Sequence, residues 1–123
     1  MAATVMVVED DASIREMVIE LLGGEGLTAV GAENGEEALR RLRRDDLHPA
    51  LILLDLMMPV MNGKEFRTEQ LRDPALSRIP VVVMSALHDA EVPAEDRVAK
   101  PFDIETLLCT VSRFAPLGRS TGP

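Results

Sequence analysis

Glu9, Asp10 and Asp11 stand together after one aliphatic run, Asp55 closes a second, Ser85 ends a third, and Lys100 precedes a proline. Carboxylates gathered without a cation repel one another and hold their protons more tightly. A hard divalent ion with oxygen ligands relieves that repulsion. Mg2+ fits, because it binds through one or two carboxylates, a carbonyl, waters and a phosphate oxygen. Asp55 begins at the rim of an apolar stretch, where an unpaired charge is costly. Lys100 would supply a second positive charge there, and Ser85 a hydroxyl donor. Together these residues describe a phosphoryl-transfer site: Asp55 as nucleophile forming an acyl phosphate, with Mg2+, Lys100 and Ser85 meeting the charge on the equatorial oxygens. The chain has no glycine-rich phosphate loop, which argues against ATP as the direct donor. His48, His88 and Cys109 are scattered, which argues against zinc. Taken alone, Asp11 reads as a helix cap and Lys100 as an ordinary loop lysine.

These residues are far apart in the chain, so the elements between them must bring them together. Thr4 to Val8 is β-branched and apolar without alternation, which predicts a strand covered on both faces. Ser13 to Leu22 has Ile14, Met17, Val18, Leu21 and Leu22 at helical spacing. Ser13 and Glu16 are spaced as a capping box, and Gly23, Gly24 and Gly26 end the helix. A strand at Leu27 to Ala32, a helix from Asn34-Gly35 to about Arg44, and a strand at Ala50 to Leu54 follow. Next come a helix at Lys64 to Arg72, a strand at Val81 to Met84, a weak strand at Arg97 to Ala99 and a helix at Ile104 to Phe114. The alternation demands an open, mostly parallel sheet with helices on both faces. In such sheets a ligand binds beyond the carboxyl ends of the strands, where the strand order reverses. Glu9, Asp10, Asp55, Ser85 and Lys100 all stand at such ends.

Hydrophobic residues make up 46% of the chain and charged residues 28%, the composition of a folding domain. The length of 123 residues allows one domain, expected over residues 1–114, with residues 115–123 as a flexible tail. The formal charge of -8 argues against a broad nucleic-acid or anionic-membrane surface. The one dense basic run, Arg40, Arg41, Arg43 and Arg44, falls where a helix ends and suits the dipole there. A single cysteine, no leader and no long apolar stretch lead to the expectation of a cytoplasmic protein without membrane insertion.

The segments VMVVEDDASIREMV, LILLDLMMPVMNGKEF, IPVVVMSA and VAKPF resemble the receiver domain of bacterial two-component response regulators. The resemblance runs from about Thr4 to Phe114, and the four motifs in this order are specific where each alone is weak. It implies a flavodoxin-like (βα)5 fold with strand order 2-1-3-4-5. It also implies phosphorylation by a histidine kinase or phosphotransfer protein, with Mg2+ as cofactor. By matching position, Asp55 resembles the phosphoacceptor, Glu9 and Asp10 the acidic pair, Ser85 the switch hydroxyl and Lys100 the conserved lysine. Met57 resembles the residue whose main-chain carbonyl completes the metal shell. Pro59 and Gly63 resemble loop residues, with Gly63 expected at a positive φ.

The chain departs from that family twice. Arg97 occupies the position, three before the lysine, where the family usually has an aromatic switch residue. Only residues 86–96, with Pro93 among them, separate Ser85 from Arg97, close to the minimum for a crossover with its helix. The helix between the fourth and fifth strands is therefore expected to be shortened, missing or replaced by a loop. Nothing like a DNA-binding or catalytic module follows Phe114, so the expected output is contact with a downstream protein, and the protein is not expected to be an enzyme. Two other functions compete: a receiver-like binding module that is not phosphorylated, and a Mg2+-dependent aspartyl-phosphate phosphatase. The phosphatase would need a second aspartate where this chain has Met57.

Overall fold

The computed structural model describes residues 3–45, 47–85, 93–100 and 102–115. Five parallel strands form one sheet: β1 (Thr4–Val8), β2 (Thr28–Ala32), β3 (Leu51–Asp55), β4 (Val81–Ser85) and β5 (Asp96–Ala99). Their order is β2-β1-β3-β4-β5, as the resemblance implied. Four helices are present among the described residues: α1 (Ala12–Gly24), α2 (Gly35–Arg44), α3 (Gly63–Arg72) and α4 (Ile104–Ser112). The fold is the flavodoxin-like, doubly wound one. Residues 86–92, most of the crossover expected to lose its helix, lie outside the described residues, as do Pro101 and residues 116–123. Residues 93–95, the end of that crossover, carry no helix.

Side chains that alternate along each strand fill two separate cores. On one face Met6, Val8, Ile52, Leu54, Val81 and Val83 meet Ala38, Leu39 and Leu42 of α2 and Phe66 of α3. On the other, Val5, Val7, Leu51, Leu53, Val82, Met84 and Val98 meet Val18 and Leu22 of α1 and Leu107 and Val111 of α4. The central strands show no polar alternation because both of their faces are covered. With one phenylalanine among the buried residues of these two clusters, aliphatic side chains supply nearly all of the buried volume.

The helix ends refine the sequence reading. Asp11 caps α1, as it reads when taken alone: its Oδ1 accepts from Ser13 N at 2.9 Å and Ile14 N at 3.1 Å. The Ser13–Glu16 capping box is therefore not formed, because Asp11 already serves the free amides and Ser13 lies within the first turn. At the other end Leu27 N bonds Leu22 O and Gly26 N bonds Gly23 O, each at 3.1 Å, a Schellman closure with Gly26 at φ 86. The α2 arginines are taken up locally, Arg43 by Asp73 at 3.1 Å and Arg41 by the Gly31 carbonyl at 2.7 Å.

One polar network lies on the α3 side. Arg67 is 5% exposed and Gln70 fully buried. Arg67 donates to Pro93 O and Gln70 Oε1, each at 2.8 Å, and approaches Glu95 Oε2 at 3.6 Å. Glu95 Oε2 in turn accepts from Val81 N at 2.6 Å. Gln70 donates to the carbonyls of Leu76 and Ile79. The helix is thereby tied to the residues that lead into β4 and β5.

Candidate functional site

The carboxyl ends of β1 and β3 are adjacent, with Val8 opposite Leu54, and the chain leaves β1 and β3 toward opposite sides of the sheet. This is the switch point, and the acidic residues stand on it. Oxygens of Glu9, Asp10 and Asp55 all lie within 4.8 Å of one another. Asp10 is exposed, whereas Glu9 is 1% and Asp55 4% exposed.

Lys100 follows β5 and reaches across the edge. Its Nζ is 2.6 Å from Glu9 Oε2 and 3.5 Å from Asp55 Oδ1. The other Glu9 oxygen accepts from Asp11 N at 3.3 Å, and Asp55 Oδ1 accepts from Met57 N at 3.3 Å. Two buried carboxylates thus share one ammonium and leave a negative charge uncompensated. Burial, reinforced by the charge of Asp55, pushes Glu9 from 4.5 up to about 7 despite its bond to Lys100. Burial likewise raises Asp55, partly opposed by Lys100. Burial acts to lower Lys100, but its bond to Glu9 and the charges of both carboxylates outweigh that and raise its pKa. An all-oxygen donor set with excess negative charge matches a hard divalent cation, so these residues fit Mg2+.

The loop after β3 is held by close backbone approaches. A Cβ on Gly63 would stand 2.6 Å from Asp55 O and 2.8 Å from Leu56 Cα, and one on Gly35 would stand 2.9 Å from Met61 O. Gly63 N donates to Leu56 O and Gly35 N to Met61 O. Gly63 is thus required for proximity, and the positive φ expected there falls instead at Val60, φ 66. Met61 N bonds Pro59 O at 2.7 Å across Val60, a γ-turn of the strained hand. Asn62 and Glu65 close α3 with a capping box. Met57 lies in this loop with its residue 66% exposed.

Among the residues singled out in the sequence, Glu9, Asp10, Asp55 and Lys100 come together. Ser85 ends β4 opposite Ala99, and the placement of its hydroxyl lies outside the described features. Arg97 is exposed on β5. The sequence reading passed over Arg15, which donates from Nη1 to Glu9 O at 2.8 Å. It also passed over Arg67 and Gln70, although they share the buried spacing of Gly63 and Phe66 along α3.

Fold and site together define a doubly wound α/β domain with an acidic centre at its switch point. The chain belongs to the response regulator receiver domain family, whose sequence profile matches residues 5–112. It is 36% identical over 118 residues to the DNA-binding response regulator MtrA of Mycobacterium tuberculosis, covering 90% of this chain and 50% of that protein. It is 35% identical over 127 residues to the phosphate regulon transcriptional regulatory protein PhoB of Pseudomonas aeruginosa, covering 98% of this chain and 53% of that protein. The chain thus spans about half the length of these curated relatives. The structure of the chemotaxis response regulator CheY4 of Vibrio cholerae superposes with a TM-score of 0.84 at 31% identity, covering 93% of this chain and 99% of that one. No helix among the described residues is long and apolar enough to cross a membrane.

Proposed function

We propose that this receiver accepts a phosphoryl group on Asp55 from a phosphohistidine of a kinase or phosphotransfer protein, and signals through altered contacts with a downstream protein. The observation that carries the reading is the meeting of Glu9, Asp10 and Asp55 oxygens within 4.8 Å, with Lys100 on the same edge. An Asp55 carboxylate oxygen forms the new bond to phosphorus while the bond from phosphorus to the donor imidazole nitrogen breaks; with a proton on its other ring nitrogen the donor leaves as neutral imidazole, and Asp55 becomes an acyl phosphate. Glu9, Asp10, Asp55 and the Met57 carbonyl would hold Mg2+, which when bound neutralises charge on the phosphoryl oxygens. Lys100 exchanges its contact with Glu9 for a phosphoryl oxygen, and Ser85 donates to another. Burial of Glu9 and Asp55 strengthens every charge interaction in this step, because little water competes. The exposed Arg97 implies that the signal reaches the partner by something other than a ring turning inward.

Incubation with Mg2+ and acetyl phosphate, followed by intact mass measurement, tests the reading. A single hydroxylamine-sensitive phosphoryl gain that disappears in Asp55→Asn supports it. Absence of any gain favours a binding module without phosphorylation, and sustained turnover of phosphate esters favours a phosphatase.

A further inference from the structure

Glu9 is anchored by more than its carboxylate. Its N–H donates to Ala32 O at 3.0 Å, the last rung between β1 and β2. In a parallel ladder the carbonyl of the same residue would take its donor from the next residues of the neighbouring strand. Here β2 ends at Ala32 and the chain turns to enter α2 at Gly35. The carbonyl of Glu9 therefore loses its strand partner at the point where the acidic site begins, and a main-chain acceptor there requires a replacement. Arg15 Nη1 provides one at 2.8 Å from one turn inside α1.

The path of that side chain is built into β2. Gly31 lies opposite Val7, on the face that α1 covers, and a Cβ on it would stand 3.0 Å from Arg15 Cδ and 3.4 Å from Arg15 Cγ. It would also stand 3.0 Å from Ile19 Cδ1. The missing side chain of Gly31 is thus the space the arginine stem occupies on its way to Glu9. The backbone of α1 is fixed in the same place, since Arg15 N donates to Asp11 O at 2.9 Å and Asp11 caps the helix.

We infer that Arg15, seated over Gly31, is a positioning residue that fixes the Glu9 peptide and so holds the Glu9 and Asp10 carboxylates ready for the cation. It touches neither metal nor phosphoryl group, and it acts through the main chain on which both acidic side chains are carried. This inference rests on the proposal that those carboxylates bind Mg2+. Groups that orient metal ligands typically govern affinity by about ten- to a hundredfold.

Calorimetric titration with Mg2+, run beside urea unfolding, tests it. Arg15→Met is expected to weaken Mg2+ binding about tenfold, and Arg15→Lys, which keeps a charged donor, to recover part of that loss. Gly31→Ala, on the neighbouring strand and not itself a ligand, is expected to weaken binding in the same direction by displacing the arginine stem. In the folded Arg15→Met protein, affinity within about twofold of wild type overturns the inference. Should that variant fail to fold, unchanged affinity in Gly31→Ala overturns it instead. Wild-type protein that takes up no Mg2+ overturns the functional reading itself, an outcome distinct from binding that ignores Arg15.

Discussion

Replacing Glu9 by glutamine isolates the electrostatic cost of burying that carboxylate. Glu9 is 1% exposed, and its pKa in the fold is about 7 against an ordinary 4.5. A folded value above the unfolded one contributes stability that is whole below pH 4.5 and is lost as the pH rises toward 7. That interval corresponds to about 3 kcal/mol. Glutamine is close in shape to the protonated acid, keeps an oxygen for Lys100 and carries no charge to lose. Lys100 stays protonated over this range in wild type, since its pKa is raised, and in the variant Asp55 remains beside it as a counter-charge. Without metal, Glu9→Gln should match wild type near pH 4.5 and exceed it by up to about 3 kcal/mol at pH 8. Repulsion from the like-charged Asp55 is already part of that figure. Urea unfolding in the presence of a chelator, at several pH values, measures the difference. Saturating Mg2+ should narrow the gap, because wild type gains about 2.7 kcal/mol at a hundredfold excess over its dissociation constant. A variant no more stable than wild type at pH 8, or a gap independent of pH, would refute the reasoning.

Three further outcomes follow from the backbone and from the buried arginine. Gly63→Ala drives a Cβ toward Asp55 O and should lower stability by about 1–3 kcal/mol, read as a drop in the urea midpoint. Val60→Gly relieves a β-branched residue at φ 66 and should raise stability by about 1 kcal/mol, with Mg2+ affinity in calorimetry unchanged. Arg67→Met leaves Gln70 Oε1 and Pro93 O without their donor in a buried place, and should cost about 2–3 kcal/mol in urea unfolding.

The sheet was legible because its central strands β1, β3 and β4 carry aliphatic runs, and the site because a polar residue stands at the carboxyl end of β1, β3, β4 and β5. Val5 to Val8 and Leu51 to Leu54 could be read as buried on both faces without knowing their neighbours. The positions of Glu9, Asp55 and Lys100 then followed from the parallel order alone. Less legible was anything set by approach between backbones. A positive φ was expected at Gly63, where glycine instead makes room for the Asp55 carbonyl, while a valine carries the left-handed turn. For α1 the sequence offers two caps, Asp11 taken alone and a Ser13–Glu16 box with a recognisable spacing, and it is the Asp11 oxygen that reaches the free amides. Arg15 and Arg67 carry no signal of their own in the sequence, since a polar residue on a helix reveals its partner only when distant chain segments are in place.

The contact of Arg67 with residues leading into β5 has a meaning for the opposite end of that strand. β5 spans only Asp96–Ala99 and pairs on one side alone. An apolar plug beside so short an edge would tolerate a slip of one residue, a displacement of about 3.3 Å along the sheet. A guanidinium paired with the Glu95 carboxylate does not, because a slip of one residue turns that side chain to the other face. Slippage would put Ala99 or Pro101 where Lys100 now stands 2.6 Å from Glu9. Arg67 therefore serves as the zero mark of a ruler whose other end is the lysine: the reach of a cation into the site is measured out from the far edge of the sheet.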